Sequence, residues 1–316
     1  MMPRRITVVG ASGFIGRYVV KRLAGEGAVI CACSRHAREA GYLRPMGDVG
    51  QVATFDVDVT DERGIAAVVA GSDAVVNATG ILSEHGRQRF DAIHHRGPAL
   101  LARLAKAAGV RHLVHLSAIS ADRNAPSAYS RSKAAGEEAV RAAFPEAVIL
   151  RPSLVFGPED TFFNRFAAMA RYSPALPLIG GGHTKFQPVY VGDVAAAIAA
   201  VLARADAAGR SYALAGPAVF DLKQLFTLML HVIGRKRLLL PVPFGIASFE
   251  AFFLELLPNP LLTRDQVRML QRDAIGAPGA PGLAELGITP TALELVLPSY
   301  LDRYRRTRRI FAARPA

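Results

Sequence analysis

Three side chains between residues 117 and 133 have the types and spacing for proton transfer. Tyr129 and Lys133 stand four apart in SAYSRSKAAGE, so on a helix they share a face with a rise of about 6 Å between them. An ammonium near a phenol favours the phenolate and lowers the tyrosine pKa. Such a tyrosine exchanges a proton with a carbonyl or hydroxyl while hydride moves elsewhere. Ser117, twelve residues earlier at the end of an apolar run, is placed to hydrogen-bond the same oxygen. The plainer alternative is a tyrosine and lysine that only support a bound ribose.

A second constellation opens the chain. VVGASGFIGRYVV, residues 8–20, carries Gly10, Gly13 and Gly16 directly after a strand pattern and directly before a helix pattern. Gly10 permits the sharp turn. Gly13 lets the backbone approach a pyrophosphate, and Gly16 lets the helix pack close to the strand. The N–H groups of the first helical turn, with Ser12, Phe14 and Ile15 around them, then face the phosphates. The same spacing also suits a tight turn with no ligand. The second strand ends CACSRHAR, with Ser34 and Arg35 where an NAD site carries an acidic residue for the ribose hydroxyls. Arginine suits a 2′-phosphate, so NADP(H) is expected over NAD(H); a solvated surface arginine is the alternative. FDVDVTD after the third strand places Asp58, with Val59, to meet adenine. VNATG ends the fourth strand, and Asn77, Ala78, Thr79 and Gly80 are expected to line the ribose.

These groups need a scaffold, and the first half alternates strand and helix patterns up to AVILRPS. Repeated βα units with short apolar strands predict an α/β fold, a Rossmann-like doubly wound parallel sheet. After Arg151 the rhythm breaks into Pro- and Gly-rich loops and helices, which predicts a small, mostly helical C-terminal lobe. The division expected is residues 1–156 for the dinucleotide-binding domain and 157–316 for the lobe, with residues 211–216 returning a strand to the main sheet.

Composition narrows the classes. Half of the 316 residues are apolar, a globular balance. The two cysteines, Cys31 and Cys33, sit on one face of a strand and are expected in the core. No His or Cys pair has metal spacing, so no metal is expected, and the histidines, His94, His95 and His183 among them, carry no signal. MMPRR runs straight into the first strand with no apolar leader, so no secretory signal is expected. The excess of 38 Lys and Arg over 26 Asp and Glu includes RYRRTRR near the C-terminus. Residues 244–257 place Ile246, Phe249, Phe252, Phe253, Leu256 and Leu257 on one helical face. Packing inside the lobe is the default reading of that face. The alternative is an interfacial helix on an anionic membrane surface, aided by the arginines of residues 303–314. No aromatic residues interleave with a basic stripe, so no nucleic acid is expected.

Together, the glycine loop, VNATG, Ser117, Tyr129-x-x-x-Lys133 and RPSLVFGP resemble the extended and atypical short-chain dehydrogenase/reductase superfamily. The resemblance implies an NAD(P)(H) site, a Ser117–Tyr129–Lys133 set, and a nicotinamide bordered by Pro152, Ser153, Leu154 and Val155. Lys185 and Gln187–Pro188 depart from the pattern of its nucleotide-sugar enzymes. HLSAISAD, HTKFQPVYVGDVA, LTRDQVRML and PGLAELGITPTALELVLPSYLDRYR are similar to one branch, the dinucleotide-binding accessory subunit of respiratory complex I, the alpha subcomplex subunit nine family. That similarity implies an accessory or assembly role with a mainly structural cofactor. It implies a peripheral place on the cytoplasmic face of a bacterial inner membrane, or on the matrix side in a mitochondrion. An active NADPH-dependent reductase or epimerase/dehydratase is the alternative.

Overall fold

The computed structural model describes residues 5–257 and 260–305. Its first half runs β1 (Arg5–Val9), α1 (Phe14–Gly25), β2 (Val29–Ser34), β3 (Val52–Asp56), α2 (Glu62–Val69), β4 (Ala74–Asn77), α3 (Gly97–Ala107), β5 (His112–Leu116), α4 (Ala128–Ala143) and β6 (Val148–Pro152). It continues with β7 (Val155–Phe156), α5 (Phe162–Tyr172), β8 (Ala175–Ile179), β9 (Lys185–Phe186), β10 (Val189–Tyr190), α6 (Val191–Leu202) and β11 (Ser211–Leu214). The last elements are β12 (Phe220–Asp221), α7 (Leu222–Val232), β13 (Leu238–Val242), α8 (Phe244–Leu254), α9 (Arg264–Met269) and α10 (Leu293–Leu301).

Seven parallel strands form the main sheet in the order β11-β6-β5-β4-β1-β2-β3. The chain thus winds out one way from β1 and then the other way from β4. The crevice between those strands is the switch point where such sheets bind ligands. Val9 at the end of β1 pairs with Cys33 on one side and Asn77 on the other. The buried apolar residues of the central strands alternate between two layers: Ile6, Val8 and Ala32 pack under α1 and α6, and Val9, Cys31 and Cys33 under α2 and α3. The two cysteines are free and buried, their sulfurs 3.9 Å apart. Beyond residue 156 the chain re-enters these layers twice, as α6 against α1 and as β11 against β6. The lobe keeps its own apolar centre around Phe156, Phe163, Phe226 and Leu297.

Two elements depart from the sequence reading. The helical segment before β5, whose apolar spacing over residues 87–108 reads as one regular helix, begins with a π-helical stretch, Asp91–Arg96, before α3. This wider turn brings the His94 carbonyl against Gly136 of α4, where an added Cβ would lie 1.9 Å from the oxygen. The second departure is the apolar face of residues 244–257, for which core packing was the default. α8 buries only Ala247 and Ala251, against Ile179 and Val267. Ile246, Phe249, Phe252, Phe253, Leu256 and Leu257 are exposed, Phe249 by 67%. Small residues four apart seat the helix, and the large ones are left outside. Leu256 and Leu257 follow the end of the helix. The arginines beyond residue 305, which were joined to this face in the sequence reading, lie outside the described residues.

The contact at Gly136 sets a test. Alanine at that position would gain about 1 kcal/mol of helix propensity but must push α4 away from His94. Gly136→Ala should lower stability by about 1–3 kcal/mol in urea unfolding. Gly25→Ala, where a Cβ meets nothing within 4 Å, should be neutral or slightly stabilising. Equal midpoints for the two variants would contradict the packing described here.

Candidate nucleotide site at the sheet switch point

The glycine loop is built by crowding. Gly10 has φ +85°, and a Cβ there would lie 2.8 Å from the Ala78 carbonyl carbon. A Cβ on Gly16 would lie 2.1 Å from the Gly10 oxygen. Gly13 is the exposed N-cap of α1, without a side-chain cap, and α1 has no acidic residue in its first turn. The N–H groups of Phe14, Ile15 and Gly16 therefore have no intrahelical acceptor. Ile15 packs on the core, and Phe14 meets Gly157 across the loop. The rim includes Tyr42, which the sequence did not single out, and Arg17. Tyr42 donates through its hydroxyl to the Ser12 carbonyl at 2.8 Å, and Arg17 donates to the same oxygen at 3.3 Å. The Arg17 guanidinium lies 5.0 Å above the Tyr42 ring and 3.6 Å from Glu159.

At the end of β2 the Ser34 hydroxyl is buried with no partner among the described residues. Arg35 is exposed and makes no ion pair among them. The Asp56 carboxylate accepts the Ala37 N–H and so holds the turn that carries Arg35. Asp58 accepts from the Thr60 N–H (2.9 Å) and hydroxyl (2.7 Å). It lines an open cleft of about 620 Å³ with Arg87 and Arg96. The side chain of Val59 is buried against Gly97 and does not line that cleft.

The β4 end is a buried polar chain. Asn77 Oδ1 accepts from the Thr79 N–H at 3.1 Å and from its hydroxyl at 2.6 Å. Asn77 Nδ2 donates to His115 Nδ1 at 3.0 Å. Gly80 leaves room for lysine: a Cβ there would sit 3.5 Å from Lys133 Nζ. That ammonium donates to the Leu116 carbonyl at 3.1 Å, its one acceptor among the described residues. Two of its three donors remain. Burial lowers its pKa to about 8, against the pull of Glu137. Glu137 is itself clamped by Arg151 (Nε to Oε1, 2.8 Å), which ties α4 to β6.

His94, read as uninformative in the sequence, sits at the centre. Its Nε2 accepts the Ile81 N–H at 3.0 Å. Its Nδ1 lies 2.9 Å from the Ser132 hydroxyl, which donates to the Tyr129 carbonyl at 2.7 Å. Both ring nitrogens are satisfied when the ring is neutral with its proton on Nδ1. Burial, then Lys133, push its pKa down to about 2; the same causes push His115 to about 3.

Tyr129 differs from expectation. Lys133 was expected to lower its pKa, but burial raises it to about 12. Phe90 and His94 lie edge-on to the ring at 5.9 and 5.3 Å, and it shares a buried cluster with Phe90 and Ala118 against which Met269 packs. Ser117 keeps a buried hydroxyl without a partner among the described residues. Ser153 is committed elsewhere, its hydroxyl donating to the Ala274 carbonyl at 2.6 Å. Pro152 pairs with Leu214, Leu154 packs into the lobe, and Val155 pairs with Val189. The first turn of α4 is capped from far along the chain: Asp265 accepts from the Ser127 hydroxyl (2.8 Å) and from the Ala128 (2.7 Å) and Tyr129 (3.0 Å) N–H groups. LTRDQ does show a helix start, since Thr263 and Gln266 form a capping box. That Asp265 also caps α4 was not legible. Gln187, one of the departures noted above, bridges the Gly216 carbonyl (2.8 Å) and the Gly276 N–H (3.0 Å).

The profile of the NAD dependent epimerase/dehydratase family matches residues 6–215. The mitochondrial NADH dehydrogenase (ubiquinone) 1 alpha subcomplex subunit 9 of Mus musculus is 37% identical over 305 residues, covering 96% of this chain and 81% of that protein. Its counterpart in Arabidopsis thaliana is 37% identical over 312 residues, covering 95% and 78%. Among solved structures, a dTDP-glucose 4,6-dehydratase from Streptomyces venezuelae with NAD and TYD bound superposes with a TM-score of 0.72 at 21% identity, covering 95% of this chain and 96% of that one.

The buried histidines set a pH dependence. Both are neutral in the fold and protonate near pH 6.5 when unfolded, so the unfolded chain binds more protons below that pH. Stability is full above about pH 6.5 and falls toward pH 3, by about 1 kcal/mol per pH unit for each histidine. Replacing both, His94→Gln with His115→Gln, should flatten this slope in urea titrations between pH 4 and 7. An unchanged slope would contradict the assignment.

Proposed function

Since the chain belongs to the NAD dependent epimerase/dehydratase family, in the branch of the NADH dehydrogenase (ubiquinone) 1 alpha subcomplex subunit 9 proteins, we propose that it is an accessory or assembly factor of respiratory complex I that holds NADP(H) mainly as a structural ligand. The observation that carries the structural role is the enclosure of Tyr129. The phenol is buried by protein side chains and held protonated far above neutral pH. The residues present fit the nucleotide. The close backbone packing at Gly10 and Gly16 leaves the first N–H groups of α1 without an intrahelical acceptor, and the Ser34 and Ser117 hydroxyls are buried without partners among the described residues. In this reading Ser12, Gly13, Phe14, Ile15 and Gly16 hold the pyrophosphate with backbone N–H groups. Ser34 and Arg35 take the 2′-phosphate, Asp58 and Val59 face adenine, and Asn77 to Gly80 with Lys133 support the nicotinamide ribose. The nucleotide, when bound, supplies a hydride; Tyr129 and Ser117 would position and protonate the oxygen of any partner in that transfer. The unpartnered Ser117 hydroxyl is what favours the second reading, an active NADPH-dependent reductase or epimerase/dehydratase.

The exposed phenylalanines of α8 support a peripheral place at a membrane; the side, the cytoplasmic face in a bacterium or the matrix side in a mitochondrion, follows in this reading from the likeness to the mitochondrial subunit 9 proteins. Among the described residues no helix is long and apolar enough to cross a membrane.

Two measurements test this reading. The chain should bind NADPH more tightly than NADH in equilibrium titration, and Arg35→Ala should weaken NADPH by about tenfold with little effect on NADH, since it removes one charge-assisted phosphate contact. Preference for NADH in the unaltered chain would refute the assignment. In a deletion strain, Tyr129→Phe should restore complex I assembly, whereas Phe249→Ser with Phe253→Ser should shift the protein out of the membrane fraction. Failure of a folded, nucleotide-loaded Tyr129→Phe to complement would move the conclusion to the enzymatic reading.

A further inference from the structure

Tyr129 is only 9% exposed, among protein side chains. Part of that cover arrives from a segment more than 130 residues later. Asp265 accepts three hydrogen bonds at the first turn of α4, and Met269, one turn on, packs into the cluster of Phe90, Ala118 and Tyr129. A carboxylate at a helix N-terminus is favoured by the dipole and makes charge-assisted bonds. Beyond Met269 the chain is fastened on the other side of the crevice. The Leu270 carbonyl accepts the Thr184 hydroxyl, Asp273 accepts the Lys185 N–H at 2.8 Å, and the Ala274 carbonyl accepts the Ser153 hydroxyl at 2.6 Å. Residues 263–274 therefore strap the carboxyl edge of the sheet, from α4 to Ser153. That edge is where ligands of doubly wound folds enter.

We propose that α9 is a self-supplied occupant of the substrate position, in which Asp265 fixes the helix against α4 and Met269 covers the Tyr129 ring. The proposal deepens the structural reading of the nucleotide given above and rests on it. A carbonyl compound approaching from this side has to displace Met269 before it stacks on the Tyr129 ring. Asp265 acts through α4 and is a positioning residue. The fold keeps the Tyr–Lys pair because the lysine serves the ribose, and the plug keeps the tyrosine from use.

The test uses the full chain and two single variants. N-acetylimidazole acetylates accessible tyrosine hydroxyls, and the tryptic peptide of residues 124–131 contains Tyr129 as its one tyrosine. In the unaltered chain this peptide should resist acetylation, and in Met269→Ala it should be labelled at least about tenfold faster, as expected when a local cover is removed without global unfolding. Asp265→Asn should speed hydrogen exchange at the Ala128 and Tyr129 amides by a similar factor, about tenfold. Retained NADPH binding shows that the Met269→Ala chain is folded; should Asp265→Asn not fold, Met269→Ala decides alone. Equal labelling in the unaltered chain and Met269→Ala overturns the plug. NADPH oxidation is then followed with 4-nitrobenzaldehyde as the carbonyl probe. Turnover by the unaltered chain that Tyr129→Phe abolishes overturns the structural reading and the plug together. Equal labelling without turnover overturns the plug and leaves that reading standing.

Discussion

Everything at the nucleotide end depends on how closely three backbones approach at the carboxyl end of β1. Gly10 lies against the Ala78 peptide, and Gly16 lies against the Gly10 carbonyl. One methyl group at either position would separate α1 from the sheet or β1 from the β4 loop. Because the loop is this tight, the unpaired N–H groups of α1 point into the crevice between β1 and β4. The Asn77–His115–Thr79 chain and Lys133 close that crevice from the other side.

Behind the crevice, α4 is held as a rigid rail. The Arg151–Glu137 pair fixes it to β6, the Gly136–His94 approach fixes it to the π-helical stretch, and Asp265 fixes its first turn. A neutral, doubly bonded His94 joins the β4 loop to that rail. Burial of the whole group sets its electrostatics. It lowers the pKa values of Lys133, His94 and His115 and raises that of Tyr129, so every member is driven toward its neutral form. A tyrosine in that condition suits packing better than proton exchange near neutral pH.

The strands and helices of the first half were legible because their patterns are local: short apolar runs, a glycine turn, and amphipathic spacing. Gly10, Gly16 and Lys133 were legible for the same reason, since their neighbours in sequence announce the motif. His94 was not, because its value lies in a π-helical turn and in partners on two other elements. Asp265 was hidden by distance, since its partners lie 136 to 138 positions away. The raised Tyr129 pKa was missed because pairing with Lys133 was visible in the spacing and enclosure by Phe90 and His94 was not. α8 misled for a different reason. An apolar stripe tells which residues share a face, and it does not tell that two alanines on another face would seat the helix.

The Asp265 cap also has a consequence for synthesis. A ribosome delivers α4 long before it delivers residue 265. During that interval the first amides of the helix have water as their acceptor, and Tyr129 has no Met269 above it. The glycine loop and Lys133, by contrast, lie on segments made well before the strap, and α6, which packs on α1, follows between them. The bonds that Asp265 makes to α4 are therefore among the later contacts formed in making the protein.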